Sequence, residues 1–372
     1  MRLLLGAGII LGLLATACGK DSPTPVDFND PAAIEANLSS VDSAFDSDVF
    51  RSFNGATLML DAATSPAIRP AATLLETVHP QLARTGGQVF LPGLLRAQRL
   101  LAIAPNLSVS AAQGRIIPDS MYGRVFEYDT AANQYSWQDS TVAGLNGVRF
   151  ILYATGLDGS VVEPVSAIGT LDIIDESTPT KLQLNVLVQG PGGTPTYVDY
   201  TASIQSSATS ASATVSGTIS NGLSGGANKT LTFDETLTAS ATGIRVQASF
   251  SLNNPAINML LNESLSFDDP NIIINADFRL IQNGETIRTV AHIVLNTSSG
   301  ITTVTVTVSV DGHPVASISG DPTDPATQWV DAGGEPLTVE DLAALDRLFD
   351  AVDHFQEAVN GLFAPIGVFA GL

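Results

Sequence analysis

Between residues 123 and 320 apolar and polar positions alternate with a period of two, strictly so over long stretches. In 181–188 the apolar set is Leu182, Leu184, Val186 and Val188. In 244–252 it is Ile244, Val246, Ala248, Phe250 and Leu252, with Arg245, Gln247, Ser249 and Ser251 between them. In 304–310 every second residue is valine, separated by Thr305, Thr307 and Ser309. Neighbouring side chains on a strand point to opposite faces, so this pattern buries one face and wets the other. That is antiparallel sheet. Less regular strands are expected at 124–128 and 134–137, around the loop 129–133, and at 148–155 and 161–174, around Leu157-Asp158-Gly159. Turn residues recur at 221–228, 253–255, 268–270, Asn283-Gly284 and Asp311-Gly312. Such short connections make consecutive strands spatial neighbours, which predicts a meander.

The period changes to that of a helix at both ends. Asp30-Pro31 is a helix start, an acid at the N-cap followed by proline at the first position, and Ile34, Leu38, Val41, Phe45 and Val49 then form one stripe. Weaker helical stretches cover 70–82 and 92–103. Near the end, Thr338 and Asp341 form a capping-box-like pair ahead of Leu342, Leu345, Phe349, Val352, Phe355, Val359 and Leu362. A sheet with one apolar face needs a cover, and these helices are the candidates. The expected fold is α+β: a large curved antiparallel β-meander of about 10–13 strands, with N-terminal helices and a C-terminal amphipathic helix covering one face. Although the chain has 372 residues, no linker divides it, so residues 31–372 are read as one domain. Within it, 31–122 is the helical region, 123–320 the sheet and 321–372 the C-terminal helix.

The first residues carry a different signal. Arg2 precedes an apolar run from Leu3 to Leu14, and Ala15-Thr16-Ala17 supply small side chains ahead of Cys18. The run is short for a helix crossing roughly 30 Å of hydrocarbon, and polar sequence follows it, so it reads as a removable signal over 1–17. Cys18 is the single cysteine of the chain. The arrangement resembles the lipobox of bacterial lipoproteins, apart from Ala15, which stands where that family most often has leucine. The resemblance implies cleavage before Cys18, a thioether link from its sulfur to a diacylglycerol with palmitate-type chains, and a membrane anchor. Gly19, where an aspartate would resemble an inner-membrane retention signal, favours the outer membrane of the cell envelope. Residues 18–30 are polar, with Pro23 and Pro25, and form a lipidated tether.

Charge narrows the partners. The net charge of −21 repels phosphate backbones, which excludes nucleic acid as a partner. Ten acids lie between Asp321 and Glu357, with Arg347 the only Lys or Arg among them. Gly222-Leu223-Ser224-Gly225-Gly226 matches the nucleophile-elbow spacing but precedes a strand, where the elbow requires a helix. His79, His292, His313 and His354 lack metal-ligand spacing. Asp172, Asp175 and Glu176, like Asp321 and Asp324, lack the ordered oxygen spacing of a calcium loop and read as turn and strand-end acids. No metal, cofactor or catalytic residue is expected.

One constellation stands apart. Residues 231–238 resemble residues 259–266, and in both a glutamate occupies the apolar register: Glu235 among Leu231, Phe233 and Leu237, Glu263 among Leu261 and Leu265. With 244–252 between them, the two strands run parallel about 10 Å apart, and either both carboxylates point to the inner face, marking a polar patch, a cavity or a bulge, or a bulge or the sheet margin exposes both. Three classes of function follow. The first is non-catalytic binding of an apolar or amphiphilic ligand; in outline the expected architecture resembles the periplasmic lipoprotein carriers and acceptors, with no shared motif. The second is a structural or adhesive envelope protein, suggested by the Ser- and Thr-rich strands. The third is an envelope hydrolase working through Glu235 and Glu263.

Overall fold

The computed structural model describes residues 115–132, 134–154, 161–207, 209–300, 302–321, 324–346, 348–349 and 362. The N-terminal helices expected at 31–53, 70–82 and 92–103, the tether and Cys18 lie outside them, as does most of the terminal helix beyond Phe349. What is described is dominated by one open 15-stranded sheet. The hairpin β1 (Arg124–Asp129) and β2 (Gln134–Thr141) is followed by β3 (Gly147–Tyr153), β4 (Ala167–Asp175), β5 (Leu182–Gln189), β6 (Thr196–Ser206) and β7 (Ser210–Ser220). Then come β8 (Thr230–Ser240), β9 (Gly243–Asn253), β10 (Ala256–Asp268), β11 (Asn271–Gln282) and β12 (Glu285–Asn296). β13 (Thr302–Val310), β14 (His313–Gly320) and the short β15 (Val330–Asp331) complete it.

From β3 to β15 every strand pairs with its sequence neighbour, antiparallel, so the meander is present with more strands than the 10–13 expected. The turns explain the order. Asn283-Gly284 and Asp311-Gly312 each place both residues at positive φ, the two-residue hairpin geometry that matches the natural twist of the flanking strands. Alternation is kept through the ladder: β9 buries every even-numbered residue from Ile244 to Leu252 and leaves Arg245, Gln247, Ser249 and Ser251 exposed.

The N-terminal end departs from the expectation in two places. The strand expected over 161–174 begins only at Ala167, because Glu163-Pro164 interrupts it and proline has no N–H for a ladder. The sheet is also not wholly antiparallel: β1 runs parallel to β3, with Val125 opposite Arg149 and Phe126 opposite Phe150, and β2 is turned out to the edge. Aromatic packing holds this arrangement, with Phe126 and Phe150 stacked at 4.8 Å between ring centroids and Tyr135 edge-on to Phe150 at 5.5 Å. Gly123 makes the crossover possible. Its N–H donates to the carbonyl of Gly147 and its carbonyl accepts from the Val142 N–H, and at φ 76° a Cβ there would lie 2.8 Å from the Val142 oxygen.

At the other end a helix begins at residue 339. Its start is a reciprocal capping box: the Asp341 N–H donates to Thr338 Oγ1 at 3.2 Å, and the Thr338 N–H donates back to Asp341 Oδ2 at 3.2 Å. Leu345, Leu348 and Phe349 are buried in the same apolar cluster as the inner face of the sheet, and Phe349 lies 6.4 Å from Trp329 between ring centroids. Asp346 stays exposed on the opposite side. Truncating Leu345 or Phe349 to alanine removes atoms from a packed interior and is expected to cost on the order of 2–5 kcal/mol, read as a lower denaturant midpoint. Two unchanged midpoints would show that the helix contributes nothing to the sheet.

Candidate functional site

Glu235 and Glu263 sit on the strands flanking β9, and both face the buried side, where Glu235 is 0% and Glu263 6% exposed. Their neighbours on the same strands, Asp234 and Asn262, face solvent. The glutamates are not level. Glu235 lies opposite Ala248, and Ala248 opposite Leu261; Glu263 lies opposite Val246, and Val246 opposite Leu237. Two strand spacings across and two residues along place their α-carbons about 12 Å apart. The two glutamates therefore share a face at different levels of the sheet. The inner side chains around them include small ones, Ala248 beside Glu235, then Ala276 and Ala291 in the row that runs on from Glu263, among larger ones such as Phe233, Leu237 and Leu261.

Other polar side chains occupy the same face. Tyr200 on β6, Thr289 on β12 and Gln282 at the end of β11 are 1%, 3% and 8% exposed. Among the described residues the Tyr200 hydroxyl, Thr289 Oγ1 and Gln282 Oε1 find no hydrogen-bond partner. An unmatched buried polar atom costs about 1–3 kcal/mol, so three on one face of an apolar sheet require an explanation. Burial pushes the Tyr200 hydroxyl well above its ordinary pKa and keeps it protonated. These residues were not singled out by the sequence pattern, yet it carried a signal. Tyr200 occupies the inward register of Val198, Ala202 and Ile204, and Thr289 that of Ile287, Ala291 and Ile293.

The remaining acids have structural work. Asp172, buried on the opposite face, receives both forks of Arg149, Nε to Oδ1 and Nη2 to Oδ2, each at 2.6 Å. Glu176 accepts from Gln183 Nε2 at 2.6 Å, and Asp324 caps its own turn through the Ala326 N–H. Asp277 on the solvent face is held by two guanidiniums, Arg288 and Arg279. The Arg288 bonds are the main reason its pKa falls to about 2; burial opposes the fall and Arg279 adds to it. Among the described residues no three His, Cys, Asp or Glu side chains gather as a metal would require. His292 bonds Asn275 at 2.7 Å through Nδ1. Ser224 lies in the exposed loop between β7 and β8, followed by a single 3-10 turn, Gly225–Ala227, and then by strand rather than an α-helix. Comparison with protein-family models, curated proteins and solved structures returned no match to this chain.

Asp175 accepts four hydrogen bonds. Its Oδ2 accepts from the N–H groups of Ile116 at 2.8 Å and Ile117 at 2.9 Å and from the Tyr122 hydroxyl at 3.3 Å, while Oδ1 accepts from the Ser177 N–H at 3.0 Å. Burial alone would raise its pKa; the hydrogen bonds from Ser177 and from the Ile117 and Ile116 amides outweigh it and lower the value below 3.8. It clamps the segment entering the sheet. A depressed pKa means stability that is present above the unfolded value and is lost as pH falls through the folded one. Asp175→Asn is therefore expected to cost on the order of 1–3 kcal/mol at neutral pH. The gap to wild type in denaturant titrations should narrow progressively below the ordinary value of 3.8. A gap independent of pH would contradict this role.

Proposed function

We propose that the protein is a lipid-anchored envelope protein, attached through Cys18, whose sheet binds an apolar or amphiphilic ligand on its buried face without catalysing a reaction. The observation that supports the reading is the mixed character of that face. An interior built only to hold a fold has no use for Tyr200, Thr289 and Gln282 with unmatched polar atoms. A face that accommodates a molecule with both apolar and polar parts does. The two buried glutamates lie on the same face. No helix among the described residues is long and apolar enough to cross a membrane.

A structural or adhesive role is the second reading, favoured by the solvent face of β7 and β8. There Ser212, Thr214 and Thr218 lie opposite Thr238, Thr236 and Thr232, with Thr214 and Thr236 hydroxyls 3.2 Å apart.

Mass spectrometry of the protein extracted from membranes separates the two. The binding reading expects a stoichiometric small amphiphile released on denaturation, besides an acylated Cys18 peptide. Cys18→Ser is expected to leave the chain uncleaved or soluble, because it removes the only thiol that can carry the lipid. Protein free of any bound molecule would favour the structural role, and a Cys18→Ser form that still partitions into detergent after signal removal would contradict the anchor.

A further inference from the structure

The two edges of the sheet are unlike. At one, β14 carries Pro314, and its pairing with β13 shifts register between Val308 and Ser309. β15, two residues long, covers it there and is itself bridged from Val330 to Pro336. Short strands, proline and breaks in register keep an edge from pairing with another chain. At the other edge lies β2, eight residues long, with no proline, lysine or arginine. Among the described strands it pairs only with β1, in regular register from Gln134 to Gln138. Gln134, Trp137, Asp139, Ser140 and Thr141 are exposed. A long edge without such guards offers its backbone N–H and C=O groups to an extended chain.

The side chains restrict which chain fits. Trp137 lies opposite Phe126 and is 44% exposed, whereas Trp329 is buried. The Arg124 guanidinium sits 3.7 Å over the Trp137 ring and holds it at the margin. Arg124 is the only lysine or arginine of residues 124–141, against the acids Glu127, Asp129 and Asp139. Glu127 and Asp129 lie opposite Ser136 and Gln134, and Asp139 follows Trp137 on the same side of β2. An exposed aromatic anchor on an open edge, set among acids, suits a strand that brings apolar and basic side chains.

We propose that β2 is a docking strand, to which an extended cationic segment of a partner protein adds, laying an apolar side chain against Trp137. This assignment does not depend on the ligand reading above. Charge separates the partner from a second copy of this chain. Two chains of net charge −21 repel each other, and β2 paired with its own copy would gather the acids of both hairpins. A basic segment is instead drawn toward the edge by the same charge.

The test uses the full mature chain and a capped octapeptide of alternating valine and lysine, with the valine–glutamate octapeptide as its acidic counterpart. Binding is measured by calorimetry at physiological salt, and backbone hydrogen exchange by mass spectrometry. The lysine peptide is expected to bind and to slow exchange in 134–141 and in no other strand, whereas the glutamate peptide does neither. Alternate amides of an added strand face the ladder, so N-methylation at every valine or at every lysine should abolish binding in one of the two cases. Trp137→Ala should weaken binding about fivefold, the effect of one cross-strand pair. Asp139→Lys, at an exposed position, replaces attraction by repulsion and should weaken it about tenfold. Absence of binding overturns the proposal. So does binding that leaves exchange in 134–141 unchanged, or that survives both N-methylations, since that is attraction to the acidic surface alone. Slowed exchange in 134–141 that grows with protein concentration, without peptide, would assign the edge to a second copy and overturn the cationic partner.

Discussion

Everything in this molecule depends on register. In a sheet with one buried face, a slip of one residue on any strand moves its whole apolar set into water. From β5 to β13 the burial pattern holds the inward set together across nine strands, with Leu184, Ala202, Val215, Glu235, Ala248, Leu261, Phe278, Thr289 and Val308 forming one transverse row. Tight turns at Asn283-Gly284 and Asp311-Gly312 leave no slack for a shift. A polar residue at an inward position is consequently carried inside by its neighbours. Glu235 is buried because Phe233 and Leu237 are, and the cost of its desolvation is borne by the apolar burial on either side.

The N-terminal end of the sheet solves a separate problem. There the chain must enter the ladder and start a sheet, and it does so with polar contacts of high definition. Asp175 gathers the backbone of Ile116 and Ile117 together with Tyr122, while Arg149 and Asp172 join β3 to β4 by a bidentate pair on the opposite face. A buried pair of this kind adds orientation more than net stability, since both charges are partly desolvated. The aromatic cluster of Phe126, Tyr135 and Phe150 then turns the first hairpin outward and supports the one parallel pairing among the described strands. Acidic residues that looked interchangeable along the chain thus divide into clamps, ion-pair members and exposed turn caps, according to which face and which turn each occupies.

Much of the fold was legible in the residues. The alternation at 244–252 and 304–310, the turn dipeptides and the inward register of both glutamates all belong to local periodicity, which a sheet preserves. β6 and β7 were harder to read, because Ala202, Ala211, Ala213 and Gly217 at inward positions differ little in hydropathy from the serines and threonines between them. The parallel β1–β3 pairing was not legible, since it arises from aromatic contacts between residues 24 apart, Phe126 and Phe150. Tyr200 escaped notice for a related reason. A tyrosine in an apolar register is ordinary; what sets this one apart is the bare Gly217 beside it and the lack of a partner for its hydroxyl among the described residues, and both are tertiary facts.

The central claim is that the two-residue alternation places Glu235 and Glu263 on the buried face, with their immediate sequence neighbours in water. Carboxyl labelling of the folded protein with a carbodiimide and glycine ethyl ester, read residue by residue by peptide mass spectrometry, addresses it directly. Asp234 and Asp268 are exposed and should be modified readily, whereas Glu235 and Glu263 should remain unmodified until the protein is unfolded. Labelling of Glu235 at the rate of Asp234, one residue away, would place that carboxylate in solvent and contradict the account of the sheet on which the ligand site is built.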